Sequence, residues 1–158
     1  MRHFCWSQNS SDSSIANKVD WQDCLDRDPS AVHWVILDGP RIVASARLNI
    51  LDDKSQLPYP DVFNAIDVPC KSFAFYSRLV VDPDYRSRGY SLALDKIRLQ
   101  YMIDNRINFA LATARGWRLG KLRNIGFKVV APVNSGVDPR WDLGNASIIT
   151  IRKKDIVL

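Results

Sequence analysis

The chain has 158 residues, of which 46% are hydrophobic and 25% charged, and this composition is ordinary for a soluble globular protein. The length suggests one domain over residues 1–158 with a sizeable core. No stretch approaches about 18 uninterrupted apolar residues, so no transmembrane helix is expected. The first eight residues lack the apolar region of a signal peptide, so we expect a cytoplasmic protein without membrane partners.

The net charge of +5 suggests an anionic partner. The basic residues are spread along the chain without interleaved aromatics, so a small anionic ligand explains them and nucleic acid is not expected. The three cysteines (Cys5, Cys24 and Cys70) lack metal-ligand spacing, which indicates reduced thiols and no metal site. All 17 acidic residues are aspartates, so any catalytic carboxylate must belong to an aspartate.

Hydrophobic patterns predict the elements in chain order. A short first strand at 1–8 and a weak helical pattern through Leu25 come first. Strands are then predicted at 33–37, 41–50, 73–81, 107–113, 127–133 and 146–151, with helices at 91–104 and 119–126. The strand at 73–81 should alternate, with Phe73, Phe75, Ser77, Leu79 and Val81 on one face. The order of elements predicts a mixed sheet with helices on both sides. The long connection 51–72 is either functional or a mobile connector.

The stretch 76–91 indicates a strand, a tight loop and a helix start. Asp82-Pro83-Asp84 ends the strand, because proline cannot extend a ladder. Beyond the loop, one predicted helix face contains Tyr90, Ala93, Leu94, Ile97 and Tyr101. A basic loop with a glycine that leads into a helix offers backbone N–H groups and the positive end of the helix dipole to an anion.

The motif Arg86-Ser87-Arg88-Gly89-Tyr90-Ser91 follows a strand that ends in Val81-Asp82-Pro83. It resembles the Arg/Gln-x-x-Gly-x-Gly/Ala motif of the GNAT superfamily of acyl-CoA N-acyltransferases. A second similarity is the short helix that ends in Gly126-Phe127. The resemblance covers most of the chain, with residues 1–30 matching poorly. It implies an α/β (α+β) fold with a mixed, mostly antiparallel, twisted sheet, helices on both faces and splayed central strands.

The resemblance also implies a donor site for acetyl-CoA or another acyl-CoA, with no metal. The pyrophosphate would contact backbone N–H groups from Arg88 to Ser91, and Arg86 and Arg88 could add charge-assisted hydrogen bonds. Gly89 removes a Cβ from the path of approach. The pantetheine arm would pair with the backbone of Leu79 and Val81. The implied cofactor-binding residues are Leu79, Val81, Arg86, Ser87, Arg88, Gly89, Tyr90 and Ser91.

The resemblance further implies direct attack of a small-molecule amine on the thioester, which calls for a base and for a proton donor to the departing thiolate. Many GNAT members carry a tyrosine where this chain has Leu122, and a glutamate on the central strand, which this chain lacks. Tyr76 and Ser77 are the substitute catalytic candidates, and Tyr76 also fits a packed aromatic. For the base, Asp52, Asp53, His33 and a water chain stay open.

Residues 77–82, Ser-Arg-Leu-Val-Val-Asp, resemble a segment of acyl-homoserine-lactone synthases and related N-acyl amino acid synthases. Those enzymes carry a glutamate where this chain has Phe75. In this comparison Arg78 would bind a substrate carboxylate or organise the site, with a structural ion pair as the alternative. We expect an enzyme that moves an acetyl group to an amine. A synthase with a longer acyl chain, from CoA or acyl carrier protein, and a non-catalytic acyl-CoA-binding module are the alternatives. A homodimer also stays open.

Overall fold

The computed structural model describes residues 22–133 and 145–158. The elements are β1 (Val32–Asp38), β2 (Arg41–Leu51), β3 (Phe73–Val81), α1 (Tyr90–Asp104), β4 (Phe109–Arg115), α2 (Gly116–Asn124), β5 (Lys128–Pro132) and β6 (Ala146–Arg152). Each predicted strand and helix within these residues is present. The predicted first strand and most of the first helical pattern lie outside the described residues. None of the described helices is long and apolar enough to cross a membrane.

Six strands form one sheet in the order β1-β2-β3-β4-β6-β5. Only β3 and β4 are parallel, and the other neighbouring pairs are antiparallel. The parallel pair follows from chain order, since α1 carries the chain back to the other end of the sheet between β3 and β4. The predicted mixed, mostly antiparallel sheet is therefore confirmed.

Two apolar clusters cover the two faces of the sheet. Both α-helices pack on one face, where Leu99 and Met102 of α1 share a cluster with Leu122 of α2 and with Ile125, which follows α2. The opposite face is covered by the connection between β2 and β3, which forms short 3-10 helices at Lys54–Gln56 and Pro60–Phe63 and buries Leu57, Phe63 and Ile66. In the described residues the second face therefore carries 3-10 helices, and the 51–72 connection is a packed cover for the core.

A β-bulge changes the face that the end of β3 presents. Arg47 pairs with Ser77, but Ser45 pairs with Val80, so two residues of β3 stand opposite Ala46. Arg78, one of these two, has a positive φ of 53°. Leu79 and Val81 consequently pack beside Ala44 on the α1 face. The predicted alternation of β3 is wrong beyond Ser77, because a bulge inserts one residue into a period of two.

The central strands separate beyond Tyr76. Strands β3 and β4 share three register pairs, and the last joins Tyr76 to Ala112. Beyond that pair, β3 continues beside β2 as far as Val81. Strand β4 meanwhile continues beside β6 as far as Arg115. The splayed central strands that the GNAT resemblance implies are thus present.

Helix α1 buries a different stripe from the predicted one. Ile97 is 47% exposed, whereas the buried residues are Leu94, Asp95, Arg98, Leu99 and Met102. Hydrophobic spacing missed this face because two of its five members are charged. Asp95 and Arg98 can lie there because they pair with each other, which offsets part of the cost of removing each charge from water.

The end of α2 gives a stability test. Gly126 has a φ of 105°, and a Cβ at this position would lie 2.0 Å from the backbone oxygen of Asp155. We expect Gly126→Ala to lower the free energy of unfolding by about 2 kcal/mol or more, through strain and a backbone clash. Gly120 lies within α2, and a Cβ there meets nothing within 4 Å. Gly120→Ala should therefore stabilise by up to about 1 kcal/mol. Urea unfolding measures the change in the free energy of unfolding for both variants. Equal changes would contradict the clash assigned to Gly126.

Candidate active site

A cavity of about 930 Å³ follows the separation of β3 and β4. On the helical side of the sheet it is lined by Leu122 and Phe127, and on the other side by Phe63 and Phe75. Because these residues belong to the clusters on opposite faces, the cavity passes through the sheet where the strands part. Backbone groups at that point no longer pair across β3 and β4, so an extended ligand can use them.

The loop before α1 lies at the helical end of this cavity. Gly89 is the N-cap of α1, has a φ of 84° and provides no capping side chain. The first backbone hydrogen bond of the helix is donated by the N–H of Ala93 to the oxygen of Gly89. The N–H groups of Tyr90, Ser91 and Leu92 precede this bond and so point out of the end of α1. This end of the helix is suited to an anion.

The predicted cofactor residues meet in one place, with a single exception. Seven of the eight line the cavity: Leu79, Val81, Arg86, Ser87, Gly89, Tyr90 and Ser91. Arg88 does not, because its guanidinium lies over the ring of Tyr85, 4.6 Å from the centroid. It also donates a hydrogen bond to the backbone oxygen of Asp84 at 3.2 Å. Arg86 is therefore better placed than Arg88 to reach a ligand in the cavity.

A cluster of two arginines and two aspartates lies on the other side of the sheet. Arg47 is fully buried, donates to Asp23 at 2.5 Å and to the hydroxyl of Ser77 at 3.0 Å, and forms an ion pair with Asp26 at 2.8 Å. Arg78 also donates to Asp23, at 2.5 Å. The formal charges of this cluster cancel. Burial by itself would raise the pKa of Asp23, but the hydrogen bonds from Arg47 and Arg78 outweigh it and hold this pKa well below its ordinary value.

A second charged cluster lies between the two helices. Asp95 of α1 accepts hydrogen bonds from Arg98 and from Arg118 of α2, both at 2.5 Å. The guanidinium of Arg98 lies 4.4 Å from the centroid of the Tyr76 ring and donates to the backbone oxygen of Arg47 at 3.2 Å. All five of these residues line the cavity. This cluster is therefore attached to β3 at the residue where β3 leaves β4.

The two predicted proton donors occupy different surroundings. The hydroxyl of Tyr76 donates to the sulfur of Met102 at 3.0 Å, inside the core, and burial raises the pKa of this phenol. The hydroxyl of Ser77 accepts from Arg47 and keeps its own proton available for another acceptor. Leu122, at the usual tyrosine position, is buried and lines the cavity without any proton to donate.

The side chains proposed as bases do not lie at the cavity. Asp52, Asp53 and His33 are exposed, and none of them is among the described residues that line it. The carboxylate of Asp53 caps its own turn by accepting from the N–H of Ser55 at 2.7 Å, which lowers its pKa. The water chain is the remaining alternative among those considered from the sequence.

Sequence reasoning missed Asp23, Arg47, Asp95 and Arg118. Except for the i,i+3 pair of Asp95 with Arg98, the ion pairs of Asp23 and Asp95 join residues 23 to 55 positions apart, so spacing carries no signal for them. One weak signal existed for Arg47, which lies in the middle of an 11-residue strand between Ala46 and Leu48. A charged residue at such a position requires a partner, although the pattern cannot tell which one.

A mixed sheet that opens beside a helix N-terminus, with a cavity through the opening, is the architecture that the GNAT resemblance implies. The family model described as N-acyl amino acid synthase FeeM matches residues 11–138. The chain therefore belongs to the FeeM family of N-acyl amino acid synthases, and it is an acyltransferase. A comparison with curated proteins found no match.

Solved structures agree on the fold. FeeM from uncultured soil microbes is similar with a TM-score of 0.68 and 17% identity, over 98% of this chain and 81% of FeeM. BjaI, a CoA-dependent acyl-homoserine lactone synthase, has a TM-score of 0.68 and 21% identity, over 96% of this chain and 72% of BjaI. Tetrahymena GCN5 has a TM-score of 0.54 and 16% identity, over 99% of this chain and 86% of that protein. At such identities these structures establish the GNAT-like fold alone.

The charge-neutral cluster predicts a pH dependence of stability. The pKa of Asp23 is lower in the folded chain than its ordinary value of 3.8. Its contribution is therefore fully present above about pH 5 and is lost as the pH falls toward the folded-state pKa. We expect Asp23→Asn to lower the free energy of unfolding by about 3 kcal/mol at pH 7, with a smaller difference at low pH. Urea unfolding between about pH 3 and pH 7 measures both effects.

The matched control is Asp67→Asn, which removes an exposed carboxylate from the connection between β2 and β3. It should change the free energy of unfolding by less than about 0.5 kcal/mol. The free energy of unfolding of Asp23→Asn is plotted against pH beside that of wild type. If the two curves stay parallel down to the lowest pH, the carboxylate of Asp23 does not have the lowered pKa.

Proposed function

We propose that this protein transfers an acyl group from an acyl-CoA to the amine of an amino acid. The family match supports an amino acid acceptor over the acetylation of an arbitrary small-molecule amine. The observation that carries the proposal is the cavity through the sheet. It joins the loop before α1, which is suited to the phosphates of CoA, with the arginine–aspartate cluster on the opposite face.

The donor is proposed to enter on the helical side of the sheet. Its pyrophosphate lies on the N–H groups of Tyr90 and Ser91, with the guanidinium of Arg86 adding positive charge. Gly89 adopts the left-handed backbone conformation from which the N–H groups of Tyr90 and Ser91 are directed toward the pyrophosphate. The pantetheine arm then pairs with β3 at Leu79 and Val81, along the edge that β4 has left. Solved neighbours are named as CoA-dependent or as complexes with coenzyme A, which agrees with this donor.

The amino acid acceptor is proposed to lie at the charge-neutral cluster of Asp23, Asp26, Arg47 and Arg78. Arg47 is fully buried, whereas the side chains of Arg78 and Asp23 keep some exposure, 12% and 18%. An amino acid carries one carboxylate and one ammonium group, so its charges complement those of Arg78 and Asp23. Arg78 would bind the carboxylate, and Asp23 would orient the nitrogen toward the opening between the strands. A structural ion pair between the two in the unliganded protein is compatible with this role.

The reaction is direct attack of the neutral amine on the thioester carbonyl carbon. A C–N bond forms, the C–S bond breaks and the thiol leaves. Ser77 is the better placed of the two proposed proton donors, because its hydroxyl lies beside Arg47 at the start of the opening. Tyr76 would have to exchange its hydrogen bond to Met102 for one to a substrate atom. Both remain proposals.

The length of the acyl chain is proposed to exceed that of acetyl. Apolar side chains line the cavity beyond the opening: Pro58, Tyr59, Val62, Phe63 and Phe75. Each buried methylene contributes about 0.8 kcal/mol, so a chain that fills this space binds far more strongly than acetyl. Acyl carrier protein and a second copy of the chain stay open as partners, and the chain is proposed to act as one domain.

A donor panel tests the reaction and the chain length. The wild type is incubated with acetyl-CoA, octanoyl-CoA or octanoyl acyl carrier protein and a mixture of amino acids, and thiol release and product mass are measured. We expect an N-octanoyl amino acid, at a kcat/KM at least about tenfold above that of acetyl transfer. Thiol release with S-adenosylmethionine alone, and not with amino acids, would favour an acyl-homoserine lactone synthase, as in a solved neighbour bound to SAM. Faster acetyl than octanoyl transfer would refute the chain-length proposal.

Arg86 gives a test of the donor site. We expect Arg86→Ala to weaken CoA binding by about tenfold, since it removes a charge-assisted hydrogen bond to phosphate. Titration calorimetry with CoA measures this. Arg152→Ala removes an equal charge from the end of β6 outside the cavity lining, so it should leave the affinity within about twofold. Equal losses of CoA affinity in the two variants would mean that net charge, and not a contact from Arg86, sets the affinity.

A further inference from the structure

The reacting end of the cavity lacks the expected proton donor, since Leu122 stands at the usual tyrosine position. The departing sulfur therefore needs stabilisation while the C–S bond breaks, before Ser77 or Tyr76 can supply a proton. Two charged clusters line the cavity, and their formal charges differ. The cluster of Asp23, Asp26, Arg47 and Arg78 is neutral, whereas Asp95, Arg98 and Arg118 together carry one positive charge more than negative.

The positive charge in the second cluster has no further carboxylate partner within residues 22–133 and 145–158. Arg98 and Arg118 form ion pairs only with Asp95 in this part of the chain. The side chain of Arg98 is 2% exposed and all three of its nitrogens donate hydrogen bonds: to the oxygens of Leu94 and Arg47 and to Asp95. Three of its five N–H donors are therefore committed to protein acceptors, and we assign Arg98 a role through its charge.

Arg118 differs from Arg98 in what it can still donate. One of its terminal nitrogens binds Asp95, and its side chain is 17% exposed. A guanidinium has five N–H donors in a fixed fork, so against residues 22–133 and 145–158 several are left for a ligand in the cavity. Asp95 fixes the direction of that fork, because Asp95 is itself held by a hydrogen bond from Arg98. The guanidinium of Arg98 in turn lies over the ring of Tyr76.

The position of this cluster is also suited to the chemistry. Tyr76 is the last residue of β3 that pairs with β4, so Arg98 marks the point where the opening begins. An extended donor that pairs with β3 beyond Tyr76 brings its thioester to this point. Positive charge that is fixed before the reaction stabilises a developing anion without the cost of reorganisation.

We propose that Arg118, oriented by Asp95 and Arg98, stabilises the leaving sulfur of the donor as a thiolate and so replaces the missing acid. The amine nitrogen bonds to the carbonyl carbon, the C–S bond breaks and its electron pair leaves on sulfur. The amine proton passes to solvent water, and the thiolate is protonated only after the C–S bond has broken, by Ser77 or by water. Arg118 is then a catalytic residue, and Asp95 and Arg98 are positioning residues. The assignment rests on the proposed acyl-CoA donor.

The first test is a titration of the thiol of bound CoA, followed by the ultraviolet absorbance of the thiolate. We expect wild type to lower the pKa of this thiol by at least about one unit from the value of free CoA titrated under the same conditions. Arg118→Gln should return it to that value, whereas Arg118→Lys should keep part of the shift. The control Arg123→Gln removes an equal charge from an exposed position of the same helix and should keep the full shift.

The second test is turnover with octanoyl-CoA. Arg118→Gln should lower kcat by about 100-fold with KM changed by less than about threefold, as expected for a group that acts on the transition state. Asp95→Asn should lower kcat by about tenfold; if it does not fold, the Arg118 variants still decide the matter. A rise in KM with kcat unchanged would mean that Arg118 only binds the donor, and would overturn the proposal.

The two tests separate this proposal from the proposed function. A thiol pKa lowered in wild type and restored in Arg118→Gln supports the role of Arg118 even if no amino acid is acylated. Acylation by a wild type that leaves the thiol pKa unchanged overturns the role of Arg118 and keeps the proposed function. Failure of wild type to bind CoA overturns both.

Discussion

Strand β3 cannot stay paired with both of its neighbours beyond Tyr76. It keeps its hydrogen bonds to β2, and β4 keeps those to β6, so the sheet opens between them. The bulge at Arg78 increases the local twist of β3 and turns Leu79 and Val81 toward α1. This separation creates the cavity. Residues from the two faces of the sheet line the same space there.

Buried arginines connect the two sides of the opening. Arg98 donates to the backbone oxygen of Arg47, and the side chain of Arg47 holds Asp23, Asp26 and Ser77 on the opposite face. Burying an arginine is costly unless its N–H groups find acceptors, and most N–H groups of Arg47 and Arg98 do. A continuous set of charge-assisted hydrogen bonds thus runs along the cavity wall from α2 to the 3-10 helix at Cys24–Asp26, and holds both ends of the site in one arrangement.

The local elements could be predicted to a large extent from the sequence. Turn residues, alternating strands and the glycine at the end of α2 carry their signals within a few residues, so β1, β2, β3 and α2 appear near their predicted positions. The stripe of α1 was predicted wrongly, because hydrophobic spacing cannot recognise a buried face that contains Asp95 and Arg98. The alternation of β3 failed at Arg78 for a related reason, since a bulge depends on the neighbouring strand.

The sequence by itself determined the loop that we propose to bind the donor's phosphates, because its elements are local: a strand end, a glycine and a helix start within 16 residues, 76–91. It also determined what the site lacks, namely a glutamate anywhere and a tyrosine at Leu122. Only the tertiary structure decided which charges meet. Asp23 joins Arg78 across 55 residues, and Asp95 joins Arg118 across 23. Such pairs depend on how the sheet opens and how the two helices lie on it, and no pattern along the chain records that.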